Sequence, residues 1–209
     1  MKSVQLPFLA FASMCCGPAL AVPVTVHYTA DNVVVVGGVC QEVDCSPLQS
    51  SADFNLIFAN GSQPNASAWW DADTAVLDLA PGTYGFAFIA DNAGIGSPGN
   101  PGGLLAEILW SGGSNVTTSA WDVTTNGVTW VSATQWAKNG TGIWGTNLLG
   151  EISSEAYWLW TATNFNENTP TRVGFRTTIT IQQVPEPVTL SLFGVGLLGL
   201  GLVRARRRA

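Results

Sequence analysis

The chain is poor in the side chains that most chemistry needs. Its 209 residues hold one histidine, His27, together with four cysteines and eight basic residues. One imidazole cannot build the His-rich sites that hold zinc, and it leaves a Ser-His pair only His27 to use. In VTVHYT, His27 alternates with Val26 and Tyr28 and shares the polar face with Thr25 and Thr29, an ordinary exposed strand position. No G-x-S-x-G elbow is present. Gly94 to Gly99 formally matches G-x-G-x-x-G, but Asn100-Pro101-Gly102-Gly103 follows and forbids the helix that a phosphate cradle requires. Basic residues are also unevenly placed. Lys2 lies at the start and four arginines at the end, so Val22 to Val184 contains only Lys138, Arg172 and Arg176 against thirteen acids, a formal charge of −10. Phosphate backbones repel such a body, which excludes nucleic acid as a partner. An acidic chain always offers some carboxylate pair for glycoside hydrolysis, and none here stands out. The expectation is a protein that is not an enzyme.

Helical periodicity is the next absence, since no run of it occurs between the two ends. The apolar pattern has period two instead. Val24, Val26 and Tyr28 share one face, and Val173, Phe175, Ile179 and Ile181 alternate with Arg172, Arg176, Thr178, Thr180 and Gln182. Similar runs cover 54–58, 76–79, 84–90, 104–110, 128–131 and 157–161, with turn clusters such as Asn60-Gly61, Ala80-Pro81-Gly82 and Asn139-Gly140 between them. Eight or nine short strands in residues 22–183 predict one all-β domain, an antiparallel β-sandwich or jelly roll. Residues 1–21 read as a signal peptide: Lys2, an apolar stretch from Val4 to Cys16, and Ala19-Leu20-Ala21 for a signal peptidase cutting after Ala21. Met14 stands where a lipoprotein would place a small residue before Cys15. Export puts the remaining pair, Cys40 and Cys45, in an oxidising compartment, where a disulfide closing a short loop is expected.

Residues 184–209 form a third segment. Pro185, Glu186 and Pro187 lead into an apolar run, residues 188–203, and Arg204, Arg206, Arg207 and Arg208 follow. As a helix the run extends about 24 Å at ~1.5 Å per residue, somewhat less than a ~30 Å hydrocarbon core. A single, short transmembrane helix rich in glycine is predicted, with the arginines holding the C-terminus on the cytoplasmic side of the inner membrane. Triplet, span and arginine cluster together resemble the PEP-CTERM sorting signal of exported proteins in Gram-negative bacteria that make extracellular polysaccharide. The resemblance implies an exosortase, a membrane-embedded processing enzyme, as partner. It further implies a transient anchor before the protein reaches the cell surface or extracellular matrix.

The body has a resemblance of its own. YTADN (28–32), Trp69-Trp70, LAPGTYGFAFIADNAG (79–94), NPGGLLAEI (100–108), SAWDVT (119–124) and AYWLWTATN (156–164) together resemble the galactose-binding-domain-like jelly rolls. That likeness implies a fold, because function resides in sites. Nine tryptophans lie between Trp69 and Trp160. Indole faces fill sandwich cores and also stack on sugar rings. Trp158 and Trp160 are expected on one side of a strand, in the core. Trp69 and Trp70 are adjacent, so one must face outward, and Trp144 sits in a glycine-flanked stretch. These three are the candidate ligand platform. Asp31 and Asp91, in turn-like A-D-N settings, are candidate ligands for a structural calcium. Sequons at Asn60, Asn65, Asn115 and Asn139 mark expected exposed turns. The expected function is a non-enzymatic surface or matrix protein associated with exopolysaccharide. The alternative is a lectin-like module that binds polysaccharide through exposed tryptophan and loop acids.

Overall fold

The period-two runs fold into two antiparallel sheets. The computed structural model describes residues 20–59, 69–145, 149–162, 166, 168–182 and 204. Most of the leader, the Pro-Glu-Pro triplet, the apolar span and the arginines other than Arg204 lie outside the described residues. In the first sheet, β1 (Val22–Asp31) pairs with β4 (Asp73–Leu79) on one side and β6 (Gly103–Trp110) on the other. The lower half of β6 carries β7 (Gly113–Val116) and its upper half β11 (Tyr157–Trp160), which β10 (Thr134–Lys138) extends. The second sheet runs β3 (Phe54–Ala59), β2 (Val33–Cys40), β5 (Gly82–Asp91), β12 (Arg172–Ile181), β8 (Asp122–Thr124) and β9 (Val131–Ser132). This two-sheet sandwich is compatible with a jelly roll. Among the described residues no helix is long and apolar enough to cross a membrane.

Alternation decides what lies between the sheets. Val24, Val26 and Tyr28 from β1 meet Phe86 and Phe88 from β5, Phe175 from β12, and Trp121 and Trp160, all at most 2 % exposed. Each such side chain contributes roughly 1.5–3 kcal/mol through burial. The intervening residues form two smaller clusters on the outer faces. Ala87 and Ile89 pack with Cys40, Cys45, Leu48 and Phe54, beneath the segment that follows β2. Leu105 packs with Trp144, Leu149, Ile152 and Trp158, beneath the long connection from β10 to β11.

Three expectations change. The second sheet includes β2, whose Val33–Val36 run is all valine and so shows no alternation, and whose pairing with β5 shifts register between Val34 and Val36. Its Gly37 and Gly38 continue the strand: a Cβ on Gly38 would stand 2.3 Å from the Leu56 carbonyl oxygen, so only glycine lets β3 approach. The run expected at 128–131 yields only Val131–Ser132. Trp158 and Trp160 are both buried but diverge. Trp160 enters the central core against Phe175, whereas Trp158 joins the outer cluster against Trp144.

The strands give the sandwich two distinct ends. Val22, which opens β1, pairs with Leu79, and Ile181, which closes β12, pairs with Gly82. Ala80 and Pro81 join those partners, so the chain enters and leaves the body at one end, the base. Asp31 to Asn32, Asp91 to Asn92 and the Trp69-Trp70 turn lie at the opposite end, the apex.

Candidate functional site

At the apex, Trp70 is 62 % exposed. Its orientation is set by Trp69, which stands edge-on to it at 5.5 Å with 81° between the ring planes. Trp69 and Ala72 are half-buried and rest against the outer cluster under Trp144 and Trp158. A large apolar ring is thus held in solvent by a half-buried neighbour. Below it, the Asp73 carboxyl is raised above its usual range by burial and then by the charge of Asp71. Burial and Asp73 together push the Tyr28 phenol up to about 12.

Trp144 is corrected from platform to core. It is 3 % exposed and stacks on Trp158 at 4.5 Å and 11°, while its Nε1 donates to Asp31 Oδ2 at 3.0 Å. Its ring is covered on the sheet side by Trp158, so it offers no face to a sugar. The turn of 3₁₀ helix at Gly142–Trp144 folds the indole inward.

The two candidate calcium ligands are already engaged. Asp31 is 7 % exposed, its pKa is raised by burial, and the Trp144 bond partly offsets that rise. Asp91 accepts from Arg172 Nε and Nη2, each at 2.6 Å. Among the described residues no group of three or more His, Cys, Asp or Glu side chains is placed to hold a metal. The other two basic residues of the body are likewise paired, Lys138 with Glu155 at 2.8 Å and Arg176 with Asp122 at 2.9 Å. Arg176 also lies 4.3 Å from the centre of the Trp130 ring. All three cations between Val22 and Val184 therefore face a carboxylate.

Asn139 is corrected as well. It is 4 % exposed, and its side chain lies inside the β10–β11 connection. Asn115 donates to Thr177 Oγ1 and accepts from Trp121 Nε1. Asn60 and Asn65 lie outside the described residues.

At the base, Cys40 and Cys45 form the expected disulfide, and their loop seats on β5 at Gly85, where a Cβ would lie 2.3 Å from the Val43 carbonyl oxygen. Beside it a cavity of about 260 Å³ opens, lined by Val39, Val43, Leu56, Leu79 and Tyr84 together with polar Gln41, Asn55 and Thr83. Val43 is 49 % and Leu56 40 % exposed at its rim. Its residues come from four separated stretches, and no local pattern links them. From this end the chain runs on, and residues 183–208 match the PEP-CTERM protein-sorting motif.

This is an export address.

The PEP-CTERM motif marks a protein exported across the membrane of a Gram-negative bacterium, held there transiently and targeted to an exosortase. The motif occupies the chain's end, and its Pro185-Glu186-Pro187 triplet begins three residues after Gln182, the last described residue before the tail. Arg204, within the motif, is exposed. No curated protein and no solved structure matches the chain.

Proposed function

We propose that this is a non-enzymatic surface or matrix protein, released from its membrane handle by exosortase cleavage and associated with exopolysaccharide. The PEP-CTERM motif carries the reading. The leader supplies entry to the export route, a signal peptidase removes it, and the arginines beyond the span orient the tail before cleavage. Replacing Pro185, Glu186 and Pro187 with alanine should leave the full-length precursor in the inner membrane, seen by blotting of fractions. Unchanged conversion to the shorter form would sink the sorting assignment.

Trp70 favours a second reading, in which the mature body binds polysaccharide at its apex. The exposed indole supplies a stacking face, and the pairing of every basic side chain in the body favours an uncharged chain over an anionic one. Retardation in gels containing neutral polysaccharide, lost in Trp70→Ala, supports this reading; equal mobility of both proteins in every gel refutes it.

A further inference from the structure

The distance between the folded body and the sorting triplet is short enough to constrain the processing complex. Ile181 is 2 % exposed and paired with Gly82, so the fold holds the chain up to that residue. Only Gln182, Gln183 and Val184 separate it from Pro185. Four Cα steps of ~3.3–3.6 Å reach at most about 14 Å. The ten-residue strands β1, β5 and β12 make the sandwich about 33 Å tall at ~3.3 Å per residue. Two packed sheets alone are about 10 Å apart, with loops covering both outer faces. The tether is therefore less than half the height of the body. With the triplet in an enzyme embedded in the membrane, the apex cannot turn toward it and the base cannot turn away.

The base is also the end that carries the apolar cavity. Its lining includes Thr83, Tyr84 and Gly85 on β5, and Thr83 and Tyr84 pair with Thr180 and Ile179 next to the chain exit. Gly85 lies about 10 Å along β5 from Gly82, within the reach of the same tether. Val43 and Leu56 form an exposed rim, and Glu42 and Asp78, both exposed acids, lie on the disulfide loop and on β4. An exposed apolar patch marks a protein or membrane contact, and acids at this end repel an anionic lipid surface, which favours a protein.

We propose that this basal cavity, rimmed by Val43 and Leu56, docks on the periplasmic face of the processing exosortase while the triplet occupies its cleavage site. The inference rests on the sorting assignment and adds a second contact to it, made by the folded body. The full-length precursor, carrying a photo-crosslinking amino acid at Val43, Leu56 or Ile95, would be expressed with an epitope-tagged exosortase whose nucleophile is inactivated. Ile95 is 71 % exposed in the apical connection from β5 to β6. Adducts with the tagged enzyme from Val43 and Leu56, absent from Ile95 and lost when the triplet is replaced by alanine, support the proposal. With active enzyme, Val43→Arg combined with Leu56→Arg slows processing about tenfold or more, equivalent to about 1.4 kcal/mol. About ten Gly/Ser residues inserted after Gln182 add a mean span of roughly 17 Å and weaken the basal adducts. Triplet-dependent processing with no basal adduct, with lipid adducts alone, or with adducts from Ile95 as well overturns the docking proposal. Processing that ignores the triplet overturns the sorting assignment instead. Native tryptophan fluorescence of each variant establishes that the body still folds.

Discussion

Replacing Asn139 with aspartate tests how the apex is supported. The amide Nδ2 of Asn139 donates to the carbonyl oxygens of Ile152 at 2.8 Å, Leu149 at 3.1 Å and Ser153 at 3.4 Å, and its Oδ1 accepts from the Leu149 N–H at 3.1 Å. One side chain thus holds the covering connection over Leu105 and Trp158. Aspartate keeps the shape and the acceptor but loses the donor, leaving a carboxylate against three carbonyl oxygens. Losing the two shorter donated bonds costs about 1–3 kcal/mol, and a buried, unpaired charge adds at least as much as one lost bond. We expect a loss of about 3 kcal/mol in urea unfolding followed by tryptophan fluorescence, or about 6–12 °C in Tm for a domain of this size. Acidification should recover part of it, because a protonated carboxyl regains one donor. Trp69 should become more accessible to acrylamide, since Trp144 and Trp158 beneath it lose their cover. A loss under about 0.5 kcal/mol, the range of ordinary surface substitutions, would refute the reasoning.

Two further outcomes follow from single interactions. Cys40→Ser with Cys45→Ser opens a loop of six residues, which by loop entropy should cost about 2 kcal/mol; equal urea midpoints with and without reductant would contradict this. The buried Asp31 carboxyl has a folded pKa raised above its unfolded value, so folding takes up a proton there. Its contribution is full below the unfolded pKa near 3.8 and declines as pH rises through the raised folded value. Asp31→Asn, which keeps an oxygen for Trp144 Nε1, should flatten the stability profile over that window, and an unchanged profile from calorimetry would exclude the assignment.

Much of the fold was legible where one face of a strand meets water. β1 and β12 show their alternation openly because Pro23 stands exposed between buried Val22 and Val24, and Thr180 between buried Ile179 and Ile181. β2 was not legible, since covering segments bury both of its faces and its valine run carries no alternation. The same covering accounts for Trp144. A glycine-flanked tryptophan reads as a loop residue until a carboxylate from the end of β1, 113 positions away, is seen to accept its N–H. For Trp69 and Trp70 the expectation that one ring faces solvent holds, although the pair lies in a turn and not in a strand. The sorting motif at 183–208 was readable, since such a signal is recognised as a linear order of residues. The basal cavity was not, being assembled from four stretches that only the sheet register brings together.

The position of β12 has a consequence for timing during export. Among the described residues it is the last strand, yet it lies inside the second sheet, hydrogen-bonded along its whole length to β5 and to β8 on its other side. Its partners on β5 lie 81 to 99 positions earlier, so the first of those pairings waits for residue 172 to be translocated and the last for residue 181. By then nearly everything upstream waits outside as an incomplete sandwich in which Trp160 lacks Phe175 and the β5 edge is unpaired, an aggregation-prone intermediate. The next residues to arrive are the triplet and the apolar span. A stop placed there would hold the chain by its end, beside the membrane and apart from other copies, through the interval in which the final strand closes the sheet.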